Sequence, residues 1–151
     1  MKKSAGLLMY RRGPGGQLEV LLAHPGGPYW QRKDAGAWTL PKGEYEDPEE
    51  PLAAALREWA EETGFDAKPP FIPLGEVALK GGKRITAWAF EGTCDPQQLK
   101  CNTFEIEWPP KSGKRQDFPE IDRVQWFAPD DARVRLNAAQ AAFIDRLEQL
   151  V

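Results

Sequence analysis

Residues 57–64 read REWAEETG, which sets three glutamates and an arginine within eight positions of one another. They close a longer segment, Gly43–Phe65, with the sequence GEYEDPEEPLAAALREWAEETGF. On an α-helix successive residues turn by about 100° around the axis. Leu52, Leu56, Trp59 and Thr63 then share one side, at the spacing of a buried stripe. Glu58, Glu61 and Glu62 stand at i, i+3 and i+4 and gather on a different face. Carboxylates stacked this closely repel and raise one another's pKa values unless a cation sits among them. A hard divalent ion such as Mg²⁺ prefers oxygen ligands of this kind. The segment is expected to be a metal-binding helix, and any fold that forms must bury one of its faces while leaving the acidic one open.

Gly43, Glu49, Arg57, Glu58, Glu61, Glu62, Gly64 and Phe65 stand at the spacing of the Nudix box, and the chain resembles the Nudix hydrolases. One position departs from that pattern: Trp59 stands where the family usually carries an aliphatic residue. Because it lies on the apolar stripe, altered packing beneath the helix is expected, with the chemistry intact. The resemblance implies an α/β fold, an α/β/α sandwich with a mixed β-sheet between helices. It also implies metal-dependent hydrolysis of a diphosphate bond in a nucleoside diphosphate linked to another group. Glu58, Glu61 and Glu62 would hold Mg²⁺ (or Mn²⁺), helped by the backbone carbonyl of Gly43. Glu58 or Glu61 is the first choice if one carboxylate serves instead as base toward the attacking water. Arg57 would tie Glu49 and a metal-binding glutamate into fixed rotamers; the plainer reading is a surface cation. Glu44 and Glu46 are expected to be solvated.

Many members of the family add one more carboxylate from beyond the box. Glu105, Glu107 and Glu120 are the candidates. The first two alternate with Phe104, Ile106 and Trp108 on a strand, as an ordinary solvated face does. Glu120 follows Phe118-Pro119 in a turn before the next strand, a position suited to aiming a side chain into a cleft, and it is preferred.

Substrate choice lies outside the box. WTLPKG, residues 38–43, is similar to the approach found in hydrolases of diadenosine polyphosphates, diphosphoinositol polyphosphates and some oxidised nucleotides. Lys42 either meets a phosphate or is a solvated turn residue. Members acting on RNA 5′ ends typically carry glutamine there, so that activity is disfavoured. The expected order is diadenosine polyphosphates, then nucleoside triphosphates including oxidised ones, then nucleotide sugars. Tyr29 and Trp30 stack on a base or pack their loop against the sheet. Arg32 and Lys33 are phosphate contacts or solubilising charges. His24, the one histidine, rules out a His-rich metal site and is read as capping its strand.

Two other classes remain. A non-catalytic Nudix module that binds a nucleotide or a protein partner is disfavoured because every box carboxylate is kept. A calcium-binding helix is disfavoured because the Asp-rich loop with its glycine is missing.

A chain of 151 residues suits a single domain spanning 1–151. A net charge of −3 supplies no attraction for nucleic acid in general or for membranes, and no apolar run is long enough to cross a bilayer. The start, MKKSAGLLMYRRG, reads as a first strand and not as a signal peptide. Cys94 and Cys101 are expected to be free thiols in a reducing cytoplasm. Strands are expected at Ala5–Arg11, Leu18–His24, Trp38–Pro41, Phe71–Leu79, Ile85–Phe90, Thr103–Trp108 and Val124–Phe127. The Pro109–Gln116 segment reads as a loop. A box helix starting near Asp47, or slightly later at the turn held by Pro51, and ending at Gly64, and a second helix over Asn137–Leu150, complete the expectation.

Overall fold

The computed structural model describes residues 2–151. Its strands are β1 (Lys3–Arg12), β2 (Leu18–Pro25), β3 (Lys42–Tyr45), β4 (Ile72–Ala78), β5 (Arg84–Glu91), β6 (Thr103–Glu107), β7 (Arg115–Pro119) and β8 (Ile121–Phe127). Its helices are α1 (Pro51–Thr63), α2 (Pro129–Arg135) and α3 (Ala141–Leu150). The run SAGLLMY in β1 is buried at every position. A strand apolar without alternation belongs where both faces of a sheet are covered, and β1 is that strand. It runs parallel to β5 along Lys3–Tyr10.

The other edge of β1 is shared. Tyr10–Arg12 pair antiparallel with Leu18–Val20, whereas Lys3–Gly6 pair antiparallel with Lys42–Tyr45. β1 and β2 therefore part into a fork, and residues 39–45 fill it. Thr39 and Ala23 exchange backbone hydrogen bonds of 2.8 and 2.9 Å, and Leu7 donates to the Pro41 carbonyl at 3.3 Å. The mixed sheet runs β4-β5-β1-β2-β8, with β3 set against β1. The expected strand over Trp38–Pro41 is thus displaced. Thr39 bridges to Ala23 of β2 and Trp38 to Leu136 at single positions, and continuous pairing begins at Lys42.

Alternation sorts the core into two layers. Leu8, Val20, Leu22 and Ile85 meet Phe143, Ile144 and Leu147 of α3 on one side. Leu7, Met9, Leu21 and Phe90 meet Ala54, Ala55 and Trp59 of α1 on the other. The result is an α/β/α sandwich around a mixed sheet. On α1 the fully buried residues are Ala54, Ala55, Trp59 and Thr63, while Leu52 and Leu56 are half-buried at the rim. The buried stripe is rotated from the expected one because two alanines let the helix backbone lie close to the sheet.

The box helix begins at Pro51, later than Asp47, with Pro51 in its first turn and Glu50 as an extended N-cap. A proline there needs no backbone N–H. Gly64 ends the helix at φ 72°, and its N–H returns to the Ala60 carbonyl. That left-handed conformation is open to glycine at little cost.

Three further departures concern the second half. Residues 109–116 are not simply a loop: β7 starts at Arg115 and pairs with β6 as a two-stranded ribbon outside the main sheet. The final helix is shorter than Asn137–Leu150, since residues 138–140 form a 3₁₀ turn in which the Asn137 side chain accepts from Ala139 N–H. α2 has no counterpart among the expected elements; its short sequence PDDARVR buries Ala132 alone, too little for a periodic signal. Cys94 and Cys101 are both free thiols.

Candidate active site

The fork between β1 and β2 decides where the chemistry sits. It delivers Lys42 and Gly43 to the flank of α1, where Lys42 N–H donates to Glu62 Oε1 at 3.2 Å. Gly43 lies so close that a Cβ on it would overlap the Glu58 carboxylate. A larger residue there would force that carboxylate aside. From the other side, Asn102 N–H donates to the Glu61 carbonyl at 3.0 Å, and Glu120 N–H donates to the Asn102 carbonyl at 2.9 Å. The Glu120 carbonyl accepts in turn from Gly26 N–H at 2.9 Å, so both backbone groups of Glu120 are pinned. Lys42, Gly43, Glu44, Glu58, Glu61, Glu62, Asn102, Thr103 and Glu120 line one cleft of about 450 Å³.

The box carboxylates have distinct environments. Arg57 grips Glu49 with two hydrogen bonds, 2.8 and 2.9 Å, and donates to Glu58 at 2.8 Å. A guanidinium fork held by two acids limits the rotamers of all three side chains. The Glu49 carboxyl is held below its usual pKa by the Arg57 hydrogen bond. Burial raises the Glu58 carboxyl despite Arg57. Glu62 is pushed up to about 8, first by burial and then by the charge of Glu58. Burial likewise lowers the Lys42 ammonium, offset in part by Glu62. A buried, proton-hungry pair of acids beside a lysine is the state expected of ligands that give up protons to a cation.

The donor set fits a hard divalent ion: oxygen atoms only, three carboxylates on one helix face, a glycine that leaves room, and a fourth carboxylate opposite. Among the described residues no three acidic, thiol or imidazole groups already converge as a closed cage. Glu58 is engaged by Arg57 and Glu62 by Lys42 N–H, so side chains must turn inward to share an ion.

The remaining expected residues are placed as follows. Tyr29 and Trp30 part company: Tyr29 meets Trp108 edge to face at 5.2 Å. Trp30 instead lines a hollow of about 190 Å³ with Trp38, Thr39, Asn137, Gln140 and Lys42. Lys33 lies over the Trp30 ring at 5.1 Å. Arg32 is exposed on the same loop and lines neither hollow. Glu105 pairs with Arg115 and Glu107 accepts from Lys111 N–H, both away from the cleft. Glu44 is exposed, as expected, but stands at the cleft's edge and within 3.5 Å of Lys83 Nζ. A larger hollow of about 660 Å³ lies at the other end of β3, lined by Lys2 and Lys3 with Glu44, Glu46, Asp47 and Glu49; Lys3 pairs there with Asp47 at 2.8 Å.

His24 does not cap its strand. It is wholly buried, with Nδ1 at 2.9 Å from Asp122 and Nε2 at 2.7 Å from the Lys33 carbonyl. It braces the loop after β2 against the start of β8, a role set by partners 98 and 9 positions away. Gln140 is a site-shaping residue that the sequence reading does not include. Buried in a mostly apolar stretch, it accepts from Leu40 N–H at 2.9 Å and donates to Thr39 Oγ1 at 2.9 Å, fixing the approach to Lys42. A lone glutamine on a greasy face is the one signal the sequence offers for it.

The fold has counterparts among known proteins. The structure resembles a C. elegans Ap4A hydrolase in a binary complex, with TM-score 0.67, 20% identity, and 97% of this chain and 96% of that chain covered. It resembles the M. smegmatis Nudix hydrolase RenU with TM-score 0.60, 26% identity, and coverage of 98% and 84%. A third likeness is to the NUDIX domain of Shewanella oneidensis NrtR, complexed with ADP ribose, with TM-score 0.65, 17% identity, and coverage of 99% and 88%. No curated protein sequence matches the chain. The model of the NUDIX domain matches residues 2–147, nearly the whole length, and the chain therefore belongs to the Nudix hydrolase family.

Proposed function

We propose that this hydrolase cleaves a diphosphate bond in a nucleoside diphosphate linked to another group, using Mg²⁺ or Mn²⁺. Diadenosine polyphosphates and nucleoside triphosphates, oxidised ones included, are the preferred substrates. One observation carries the reading: Glu58, Glu61 and Glu62 from α1, Glu120 from the β7–β8 turn and Lys42 from the fork all face one cleft. The three helix glutamates hold the ion, with the Gly43 carbonyl beside them. A divalent ion bound there neutralises phosphate charge and lowers the pKa of its water. Arg57 holds Glu49 and Glu58 in place; where one of the three carboxylates serves instead as base toward the attacking water, Glu58 or Glu61 is the first choice. Lys42 links the carboxylate cleft to the Trp30–Gln140 hollow, so it suits a phosphate lying between the two. Trp30 offers an aromatic face beside that position, with Lys33 over it. The likeness to the C. elegans enzyme is one of fold and does not select the substrate. No helix among the described residues is long and apolar enough to cross a membrane, and we place the activity in the cytoplasm.

Mass-spectrometric identification of products from a dinucleotide and triphosphate panel in ¹⁸O water, with Mg²⁺ or chelator, tests the proposal. Metal-dependent release of ¹⁸O-labelled nucleotide from one class supports it. Ligand binding without turnover of any compound would turn the reading toward a binding module.

Two expectations follow at the site. Glu120→Gln should lower kcat by about 10²–10⁴-fold if this carboxylate contacts the ion or the water. Glu105→Gln and Glu107→Gln should leave it unchanged; wild-type kinetics in Glu120→Gln would remove it from the site. Separately, the ion must displace the Glu62 proton, whose pKa is about 8. Mg²⁺ affinity should rise about tenfold per pH unit up to that value and flatten above it. Calorimetric Kd values from pH 6 to 9 measure this, and a Kd independent of pH in that range contradicts the assignment.

A further inference from the structure

The β6–β7 ribbon belongs to no part of the sandwich, yet its feet stand in the cleft. Thr103, at the start of β6, lines the carboxylate site, and Glu120 follows directly on β7. Thr103 pairs with Pro119 at the base of the ribbon. From that base the ribbon leans on the loop after β2. The Phe104 ring covers Gly27 so closely that a Cβ there would come within 2.9 Å of it. Further out, Trp108 meets Tyr29 at 5.2 Å with ring planes 79° apart. Tyr29 is still 61% exposed in that contact. An aromatic pair open in this way offers a face on which a nucleoside base can stack.

The charge along the ribbon is uneven. Arg115 pairs with Glu105, Glu107 accepts from Lys111 N–H and keeps its negative charge, and Asp117 is exposed opposite Glu105. Lys111 and Lys114 are exposed at the tip, and among the described residues neither ammonium is paired with a carboxylate. Arg32 is likewise exposed on the facing loop. Polar ribbon tips are commonplace. Here two lysines at the tip and an open aromatic pair belong to a ribbon whose base lines the carboxylate cleft. Five paired residues at about 3.3 Å each put Trp108 roughly 15 Å beyond the cleft, farther than a single mononucleotide held at the carboxylates needs.

We propose that the ribbon and the Tyr29 loop form a second recognition arm, which holds the far nucleoside of a substrate whose two nucleosides are joined by a polyphosphate. Its base covers the Tyr29–Trp108 pair, and Lys111 and Lys114 beyond that pair attract the polyphosphate toward the arm. The proposal rests on the hydrolase reading and names which of its substrate classes the fold selects.

Binding tests it without turnover. Calorimetry with a methylene-bridged, non-hydrolysable diadenosine tetraphosphate and with the matching methylene-bridged ATP gives an affinity ratio. For the wild type the two-nucleoside ligand should bind about tenfold tighter or more, the effect of one stacked base. Tyr29→Ala and the double variant Lys111→Ala/Lys114→Ala should bring the ratio close to one. All three positions are exposed, so the fold is kept. A wild-type ratio near one, or variants that keep the wild-type ratio, would overturn the arm. Preferential binding without turnover of the natural dinucleotide would leave the arm standing and reject the hydrolase assignment; turnover of triphosphates with no preference would do the reverse.

Discussion

Glu61→Gln and Glu62→Gln are each expected to lower kcat by more than about 100-fold while the protein stays folded. Outer partners of metal ligands already cost about 10–100-fold when removed, and these glutamates are placed to hold the ion itself. Glu62 is costly as an anion in the metal-free protein: burial and Glu58 raise its pKa from 4.5 to about 8. Between those values the folded chain keeps a proton that the unfolded chain has lost. Glu62 therefore contributes stability that is fully present below about pH 4.5 and is lost as pH rises through 8. Glu62→Gln carries no such proton, so without metal its stability relative to the wild type should rise as pH climbs from about 4.5 to 8 and level off above that. Melting curves at pH 6 and 9, with Mg²⁺ and with chelator, read both effects. A wild type that gains nothing from Mg²⁺, together with active variants, would remove these glutamates from the metal site.

Trp59→Leu should destabilise the chain by about 2–4 kcal/mol, adding a cavity to a lost hydrogen bond. The indole is 1% exposed and stands edge-on to Phe90 at 5.1 Å. Its Nε1 donates to the Phe65 carbonyl at 2.8 Å. That bond lies beside the Thr63 hydroxyl, which donates to the Trp59 carbonyl and accepts from Phe65 N–H. The unusual tryptophan therefore ties down the C-terminal end of the box helix besides filling the core. For a chain of this size the loss is roughly 4–16 °C in Tm. Trp59→Phe, which keeps the ring and drops the N–H, should cost less than half as much. Leucine at unchanged Tm would mean that the pocket collapses around it. Activity should persist in both, since neither change touches a carboxylate.

Whatever depends on neighbours in the chain is legible in the amino-acid sequence alone. The spacing of Glu58, Glu61 and Glu62 is set by helical geometry, so their shared face can be read directly. The all-buried run of β1, the hairpin turn at Gly13–Gly16 and the left-handed end at Gly64 are local in the same way. Glu120 stands out by its proline-stiffened turn, and it lies in the cleft. The features that escape a sequence reading depend on partners far along the chain. Residues 39–45 enter the sheet because β1 and β2 diverge, and no local pattern announces a fork. His24 reads as a strand end until Asp122, 98 positions later, comes within 2.9 Å of it. Gln140 reads as a polar intruder until Leu40 and Thr39 need its amide, and β7 as a charged loop until β6 pairs with it. Helix periodicity tells which side chains can act together. Only the tertiary structure decides what faces them, because backbone groups bond across the sheet to whichever strand the fold brings alongside.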